Sequence, residues 1–416
     1  MVGRMVVIAD DITGAAEIAG IAFSHGQQVR LICGCSGSSS SVCSCGIATN
    51  ETIVIATDTR SMSESEAIAE THHIASSFLI SHSSFLIYKK TDSALRGHVV
   101  AELTALMQAT GYQRCIYLPA NPSKGRIIRN GVYYIREVRG ERSEVRGERS
   151  EVRGQRSEVR GERGEVRDVP IHETAFSYDP EFPALTSVLS ERFPDAESKG
   201  IIMPDAENEE DIQKVIATYN DGNTIFAGAA DLFSALLAKE SRGQALDPSL
   251  GQRSCPHDSH SSLFTLHSSL ILCGSTQSQP LDLGIPIAPM PRELYDGSDD
   301  LSCWDTHEYT KQHRLILTMP YTHRTGKKAA VHLRTMMAKK AKELITLQIP
   351  DHLIIEGGAT AWSTLQALGW TQFDIVAQIA PGVVQMSVTM ISLGSKKDVM
   401  VTLKPGSYPW GNWMKK

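Results

Sequence analysis

The sequence predicts an α/β fold in two domains, each a mostly parallel sheet flanked by helices. Three observations lead there. At 416 residues the chain is longer than the roughly 250–300 residues at which a single core stops growing. Short apolar runs alternate with segments whose apolar positions recur at helical spacing, the pattern of strands joined by crossover helices. Nearly every apolar run also stops abruptly in polar residues, and parallel strands would gather those polar ends along one sheet edge.

The first strand is Val6-Val7-Ile8-Ala9, and it ends at two adjacent carboxylates, Asp10 and Asp11. Thr13 and Gly14 follow, with Thr13 as candidate N-cap. Ala15, Ile18, Ala19 and Ala22 then share one face of a helix. Paired acids are costly to crowd together unless a cation or a hydroxyl-bearing ligand uses them. A second strand over 52–56 runs into Thr57-Asp58-Thr59-Arg60, and a helix is expected over 64–78. A third over 85–88 ends in KKTDSALRG before a helix over 98–110. A fourth over 115–118 ends in PANPSKGR. These polar ends should converge.

Three stretches interrupt the pattern. Residues 33–46, CGCSGSSSSVCSCG, carry Cys33, Cys35, Cys43 and Cys45 in Ser/Gly filler that sets no metal geometry, so a loop is expected there. Residues 136–168 hold a seven-residue repeat, EVRGERS and its variants. Each unit has one apolar residue and a central glycine (Gly140, Gly147, Gly154, Gly161), which leaves no coiled-coil seam to bury. The insert reads as the expanded turn of a hairpin whose arms are NGVYYI and VPIHETAF. Residues 241–268 are rich in Ser, His, Gly and Pro and read as a linker. The domains are thus expected at 1–240 and 269–416. In the second, strands are expected over 270–273 and 315–320, a helix over 327–347, then HLIIEGGATA leading into a helix over 361–368, and a closing VMVTLKPGSYPWG.

Composition narrows the function classes. A formal charge of −6 provides no basic footprint for nucleic acid. No apolar run approaches the ~20 residues of a membrane span. The opening MVGRMVVIADD lacks signal-peptide features, so reduced cysteines and a cytoplasmic location are expected.

Two groups of residues point to chemistry. Gly357-Gly358-Ala359-Thr360 lies between a strand and a helix, where bare backbone N–H groups and the helix dipole suit an anion. Gly274-Ser275 and Lys404-Pro405-Gly406-Ser407 are further small-residue turns at strand ends. Together they suggest a nucleotide-phosphate cradle, though neither a Walker P-loop nor a G-x-G-x-x-G follows the expected strands. In the first domain Lys90, Asp92, Ser93 and Arg96 sit within seven residues, a mixture that suits a small hydroxy acid. His172, inside PIHET, reads as structural.

Taken in order, these motifs resemble the four-carbon acid sugar kinase family. The matching elements are IADDITG (8–14), TDTR (57–60), KTDSALRG (90–97), LPANPSKGR (118–126), VPIHETAFSYDP (169–180), IIMPDAENEEDI (201–212), GS (274–275), EGGATA (356–361) and KPGS (404–407). The resemblance implies an ATP-dependent kinase that phosphorylates the terminal hydroxyl of threonate, erythronate or a 3-oxo-tetronate, with the site in the interdomain cleft. It implies sugar-acid contacts from Asp10, Asp11, Asp58, Arg60, Lys90, Asp92, Ser93 and Arg96. It implies ATP contacts from Ser275, Gly357, Gly358, Ala359, Thr360 and Gly406, with Mg²⁺ on the phosphates. The catalytic expectation is Asp11 or Asp10 as base, Arg96 clamping the substrate carboxylate, and Lys90 neutralising developing charge. The partner expected is a small sugar acid, with no nucleic acid and no membrane, and a homodimer as the candidate assembly. Gln277 and Ala359 depart from the usual Ser and Asp, which keeps open a non-catalytic or decayed sugar-acid or nucleotide-binding protein on the same scaffold. A different transferase or an oxidoreductase is the other rival.

Overall fold

The computed structural model describes residues 5–34, 51–79, 86–138, 166–179, 182–242, 268–275, 281, 283–319, 326–392, 395–406 and 410–411. The first half supplies β1 (Met5–Ala9), β2 (Gln28–Cys33), β3 (Glu51–Ala56), β4 (Leu86–Lys90) and β5 (Arg114–Leu118). It continues with β6 (Arg126–Arg129), β7 (Val132–Val138), β8 (Val166–Pro170), β9 (Ile201–Ile202) and β10 (Thr224–Gly228). The second half supplies β11 (Ser269–Cys273), β12 (Ile287–Pro289), β13 (Arg314–Thr318), β14 (His352–Glu356), β15 (Gln372–Ala380), β16 (Val383–Ser392) and β17 (Ser395–Lys404).

In the first half the order β2-β3-β1-β4-β10-β5-β9 is parallel throughout. Every residue of β1 and β3 is buried, which is why these strands read as unbroken Val/Ile runs rather than alternating ones. Each fully buried Ile or Val there contributes about 1.5–3 kcal/mol of burial free energy. Among the helices that cover the sheet are α1 (Ile12–Ser24), α2 (Glu64–Leu79) and α3 (Val99–Thr110). Ala15, Ile18, Ala19 and Ala22 of α1 are all buried, as their helical spacing requires. In register, Ala9 faces Ala56 and Lys90, Lys90 faces Gly228, and Gly228 faces Leu118. The polar strand ends therefore do line up along one edge.

The second half orders β12-β13-β11-β14-β17 in parallel, then adds β16 and β15 antiparallel. Here the structure goes beyond the expectation of two separate sheets. β15 also pairs antiparallel with β2, Gln372 opposite Ile32 and Asp374 opposite Arg30, so both halves share one 14-stranded sheet. The bridging strands have no turn chemistry that marks a domain joint, and β15 lies between its two partners, joined to β2 through residues 372–374 and to β16 from Asp374 onward.

This joint fixes where the two strand-end edges lie. The parallel strands of the second half run opposite to those of the first, so in a flat sheet their carboxyl ends would lie on opposite edges. From β14 to β1 there are six strand-to-strand steps, and at about 20–25° of twist each they accumulate roughly 120–150°. That rotation brings the two edges back toward each other. α1 packs over the seam, with Gly20 against Val384 and Gln378 and Ser24 Oγ donating to Gln378 Oε1 at 2.6 Å.

β7 and β8 pair antiparallel up to Val138 opposite Val166, so the arms of the expected hairpin are paired, while the repeat at 139–165 lies outside the described residues. Cys33 is the buried last residue of β2, and Cys35, Cys43 and Cys45 lie outside the described residues, as do linker residues 243–267, Gln277 and Ser407. No helix among the described residues is long and apolar enough to cross a membrane.

Candidate active site

β1 delivers two carboxylates that the structure uses differently. Asp11, not Thr13, caps α1: its Oδ1 accepts from Gly14 N at 2.8 Å, and Thr13 lies inside the first turn. The carboxylate prevails because it reaches the orphan N–H from an extended backbone, φ −147°. Asp10 is buried, its side chain 3% exposed against 20% for Asp11. Arg60 binds Asp10 as a fork, Nε to Oδ2 at 3.2 Å and Nη2 to Oδ1 at 3.1 Å. The same Nη2 lies 3.3 Å from Asp11 Oδ1 and 3.7 Å from Asp92 Oδ1, so one guanidinium is the hub of three acids.

The electrostatics follow. Burial pushes the Asp10 carboxyl up to about 6 against the pull of Arg60, with Asp11 raising it further. Asp92, though also buried, is held well below the usual carboxylate range by Arg60 and Arg96. Arg60 is raised well above its ordinary value: burial opposes the charge, but the three acids outweigh it. Burial and neighbouring charge compete at low dielectric: burial prevails at Asp10, and the two guanidinium groups prevail at Asp92.

Arg60 is itself positioned from below. It sits on the short helical turn Thr59–Ser61 after Asp58, which adopts a left-handed φ of 56°. Thr59 Oγ1 donates to Glu102 Oε2 at 2.8 Å, and Glu102 on α3 is paired with Lys89 Nζ at 2.6 Å. Lys89 and Glu102 are both buried. Neither was singled out in the sequence. Lys89 could be noticed as a second lysine in an apolar run, but its acid is thirteen positions away on another element. Asp58 itself accepts from Ser61 Oγ at 2.5 Å; burial raises its carboxyl, with Ser61 and Arg334 of the second half pulling it down.

The KTDSALRG turn adds a second fork. Arg96 Nε and Nη2 donate to Asp92 Oδ2 and Oδ1 at 2.8 and 2.9 Å, and Nη1 lies 3.6 Å from Asp179. Asp92 Oδ2 also accepts from Ala94 N at 2.9 Å. Ser93 Oγ accepts from Arg126 Nη1, and Tyr133 OH donates to the Ser93 carbonyl. Lys90 Nζ donates to the Thr91 carbonyl at 3.0 Å and lies 3.5 Å from Glu17 on α1. Lys124 pairs with the same Glu17. His172 binds Ser187 Oγ through Nδ1 at 2.6 Å beside β8, a local structural contact.

The second half assembles its turns in the same way. The helix Gly358–Leu368 begins three residues earlier than expected, directly after Gly357, whose φ is 93°. A side chain at Gly274 would overlap Thr360 Oγ1, and one at Gly406 would stand 2.9 Å from Ser275 Oγ. Ser275 Oγ donates to the Gly406 carbonyl at 3.2 Å. The turn is thus bare backbone where three strand ends meet, and Ala359 is exposed on it. Beneath it lies a fully buried ion pair, Lys404 Nζ to Glu356 Oε1 at 2.7 Å, joining residues that face each other across β17 and β14.

The two groups meet. A side chain at Gly358 would overlap Thr13 Oγ1, and a narrow cleft runs between Ile12, Thr13 and Ala16 on one wall and Gly357, Gly358 and Lys404 on the other. An acidic, guanidinium-rich floor and a bare-backbone turn at a helix N-terminus face one another across this seam. The first suits hydroxyls and a carboxylate, the second phosphate oxygens.

Comparison with known proteins supports both halves. A model for a sugar-binding N-terminal domain matches residues 5–236, and one for a nucleotide-binding C-terminal domain matches residues 309–408. The chain is 27% identical over 235 residues to a D-threonate kinase of Salmonella typhimurium, covering 56% of this chain and 53% of that one. It is 32% identical over 139 residues to a 3-oxo-tetronate kinase of Brucella melitensis, covering 32% of this chain and 30% of that one. The match thus spans about half of the first relative and under a third of the second. A solved Haemophilus influenzae structure superposes with TM-score 0.62 at 18% identity, covering 99% of this chain and 98% of that one. A Salmonella typhimurium structure described as a putative tRNA synthase gives 0.62 at 17%, covering 100% and 98%. At such identities these structures show a common fold.

Proposed function

The chain belongs to the four-carbon acid sugar kinase family, and from that premise we propose that it uses ATP to phosphorylate the terminal hydroxyl of a tetronate, threonate, erythronate or 3-oxo-tetronate, in carbohydrate catabolism. The observation that carries this is the abutment of the two groups: Thr13, two residues after Asp11, touches the space of Gly358 at the head of the bare-backbone turn. An acceptor held on the first half would lie against phosphates held on the second.

Phosphoryl transfer needs in-line positioning, charge neutralisation and a group to orient the hydroxyl. Gly357, with φ 93°, and Gly274, where a side chain would overlap Thr360, leave the room phosphate oxygens require. ATP would therefore rest on the N–H groups of Gly357, Gly358, Ala359 and Thr360, with Ser275 and Gly406 closing the cradle. Bound ATP would supply the phosphoryl group, and an accompanying Mg²⁺, which needs only one or two carboxylates beside the phosphates, would offset their charge.

The remaining roles belong to side chains. Asp11 is the more exposed acid and stands on the end of α1 that meets the cradle, so it accepts the proton of the acceptor hydroxyl. Asp10 holds Arg60, and Arg60 in turn offsets the repulsion among the three acids gathered around it. Asp58, Asp92 and Ser93 face the sugar hydroxyls, and Lys90, beside Gly14 at the start of α1, offsets charge developing on the transferred group. Arg96, expected to clamp the substrate carboxylate, is assigned instead to fixing the turn that carries Ser93, because its fork is engaged by Asp92.

A coupled ADP-release assay over threonate, erythronate and oxo-tetronate isomers tests the reading. Asp11→Ala and Arg96→Ala should each abolish turnover while ATP still binds. Normal turnover in both variants overturns the assignment. ATP binding by the parent protein without turnover of any tetronate would favour the decayed, non-catalytic alternative.

A further inference from the structure

We propose that Arg126 recognises the carboxylate of the acceptor and so sets a preference for a sugar acid over the uncharged polyol. The inference rests on the kinase reading above and assigns, within that site, the residue that selects an acid.

Most cations that the first half sets around the acidic floor are already engaged. Arg60 is bound fork-to-fork by Asp10, and Arg96 by Asp92. Lys89 is paired with Glu102, and Lys90 and Lys124 with Glu17. Arg192 donates to two backbone carbonyls, Pro183 at 2.7 Å and Leu95 at 3.1 Å. Arg126 differs from all of these. Among the described residues it has no carboxylate within ion-pair distance, and its guanidinium makes one hydrogen bond, from Nη1 to Ser93 Oγ.

Its position is nonetheless fixed. The guanidinium lies over the Phe176 ring, 5.7 Å from the centroid, a contact that orients a planar cation without using its N–H donors. Its backbone N–H donates to the Asn121 carbonyl at 3.1 Å, and Asn121 is buried. The charge is close enough to help hold Asp92 in its ionised form. A half-buried guanidinium with one neutral partner retains four N–H donors in a rigid fork, the arrangement that binds a carboxylate bidentately. Ser93, which accepts from it, belongs to the turn that also carries Asp92. An acceptor carboxylate on Arg126 would thus place the adjoining hydroxyls beside Ser93 and Asp92.

The test compares the parent protein with Arg126→Met, Arg126→Gln and Arg126→Lys, each checked for unaltered thermal melting. Two kinds of acceptor are used: the tetronate that the parent turns over fastest, and the tetritol of the same configuration. Losing a charge-assisted bidentate contact should lower kcat/KM for the tetronate roughly 10- to 100-fold and leave the tetritol within about threefold, with Lys restoring part of the preference. Titration calorimetry with the tetronate alone provides a second reading, in which Kd rises by a similar factor. If Arg126→Met melts early, Arg126→Gln, which keeps a donor for Ser93, carries the comparison. Unchanged acid preference and unchanged tetronate affinity in a well-folded variant overturn the assignment while leaving the kinase reading intact. A parent protein that neither binds nor turns over any tetronate overturns both.

Discussion

Replacing Gly358 with alanine probes the seam on which the functional reading depends. The added Cβ would overlap Thr13 Oγ1 by about 1 Å. Its next neighbours are Thr13 Cβ at 3.6 Å and Ile12 Cγ2 at 3.8 Å, which are ordinary contacts. The clash therefore lies with one oxygen atom. Overpacking of this kind costs about 1–3 kcal/mol, and the helix propensity of alanine over glycine returns roughly 1 kcal/mol. The net effect of Gly358→Ala alone, about 0–2 kcal/mol of destabilisation, does not separate the clash from the propensity gain. In a Thr13→Ala background the oxygen is absent, so only the propensity gain remains. The effect of Gly358→Ala should therefore differ between the two backgrounds by about 1–3 kcal/mol. Urea unfolding of the four proteins of the cycle measures it. A coupling under about 0.5 kcal/mol is the additivity expected of separated sites; it would show that the halves are not in contact at Gly358 and would remove the observation that joins acceptor to nucleotide.

Two further outcomes follow from the structure. Burial pushes the Asp10 carboxyl up to about 6, above its ordinary 3.8, so the folded protein holds that proton more tightly than the unfolded chain does. The contribution of Asp10 to stability is then full below about pH 4 and is lost as pH rises through 6, on the order of 3 kcal/mol in all. Relative to Asp10→Asn, the parent should become progressively less stable over that window in urea titrations, and a pH-independent difference would refute the raised value. Separately, because Val138 faces Val166, replacing residues 139–165 with Asn-Gly should close a two-residue hairpin. Melting should shift by no more than a few degrees and the melt stay cooperative; a chain that no longer folds would show that the repeat does more than extend a turn.

Much of the fold was legible because its signals are local. The apolar runs ending at Ala9, Ala56 and Cys273 carry their strand assignment within a few residues, and the helix Lys327–Leu347 follows from its own periodicity. What escaped is the sheet joint at β15, because a strand that pairs with β2 over only three residues and with β16 from Asp374 onward leaves no single-period pattern. The cap of α1 was misread for a similar reason. Asp11 and Thr13 both have capping side chains, and the choice turned on a backbone angle that propensity does not encode.

By itself, then, the sequence determined which residue types stand at which strand ends, and with them the family and the two groups of polar residues. Their partnership was decided only by tertiary structure. Lys89 finds Glu102, Lys404 finds Glu356 and Arg126 finds Ser93 across separations of 13, 48 and 33 positions. The physical reason is that ion-pair energy depends on distance and burial, which the sheet order, its register and its accumulated twist set together. The same geometry separates Asp10 from Asp11: adjacent in the chain and chemically identical, one is buried in the fork of Arg60 while the other caps a helix at the seam.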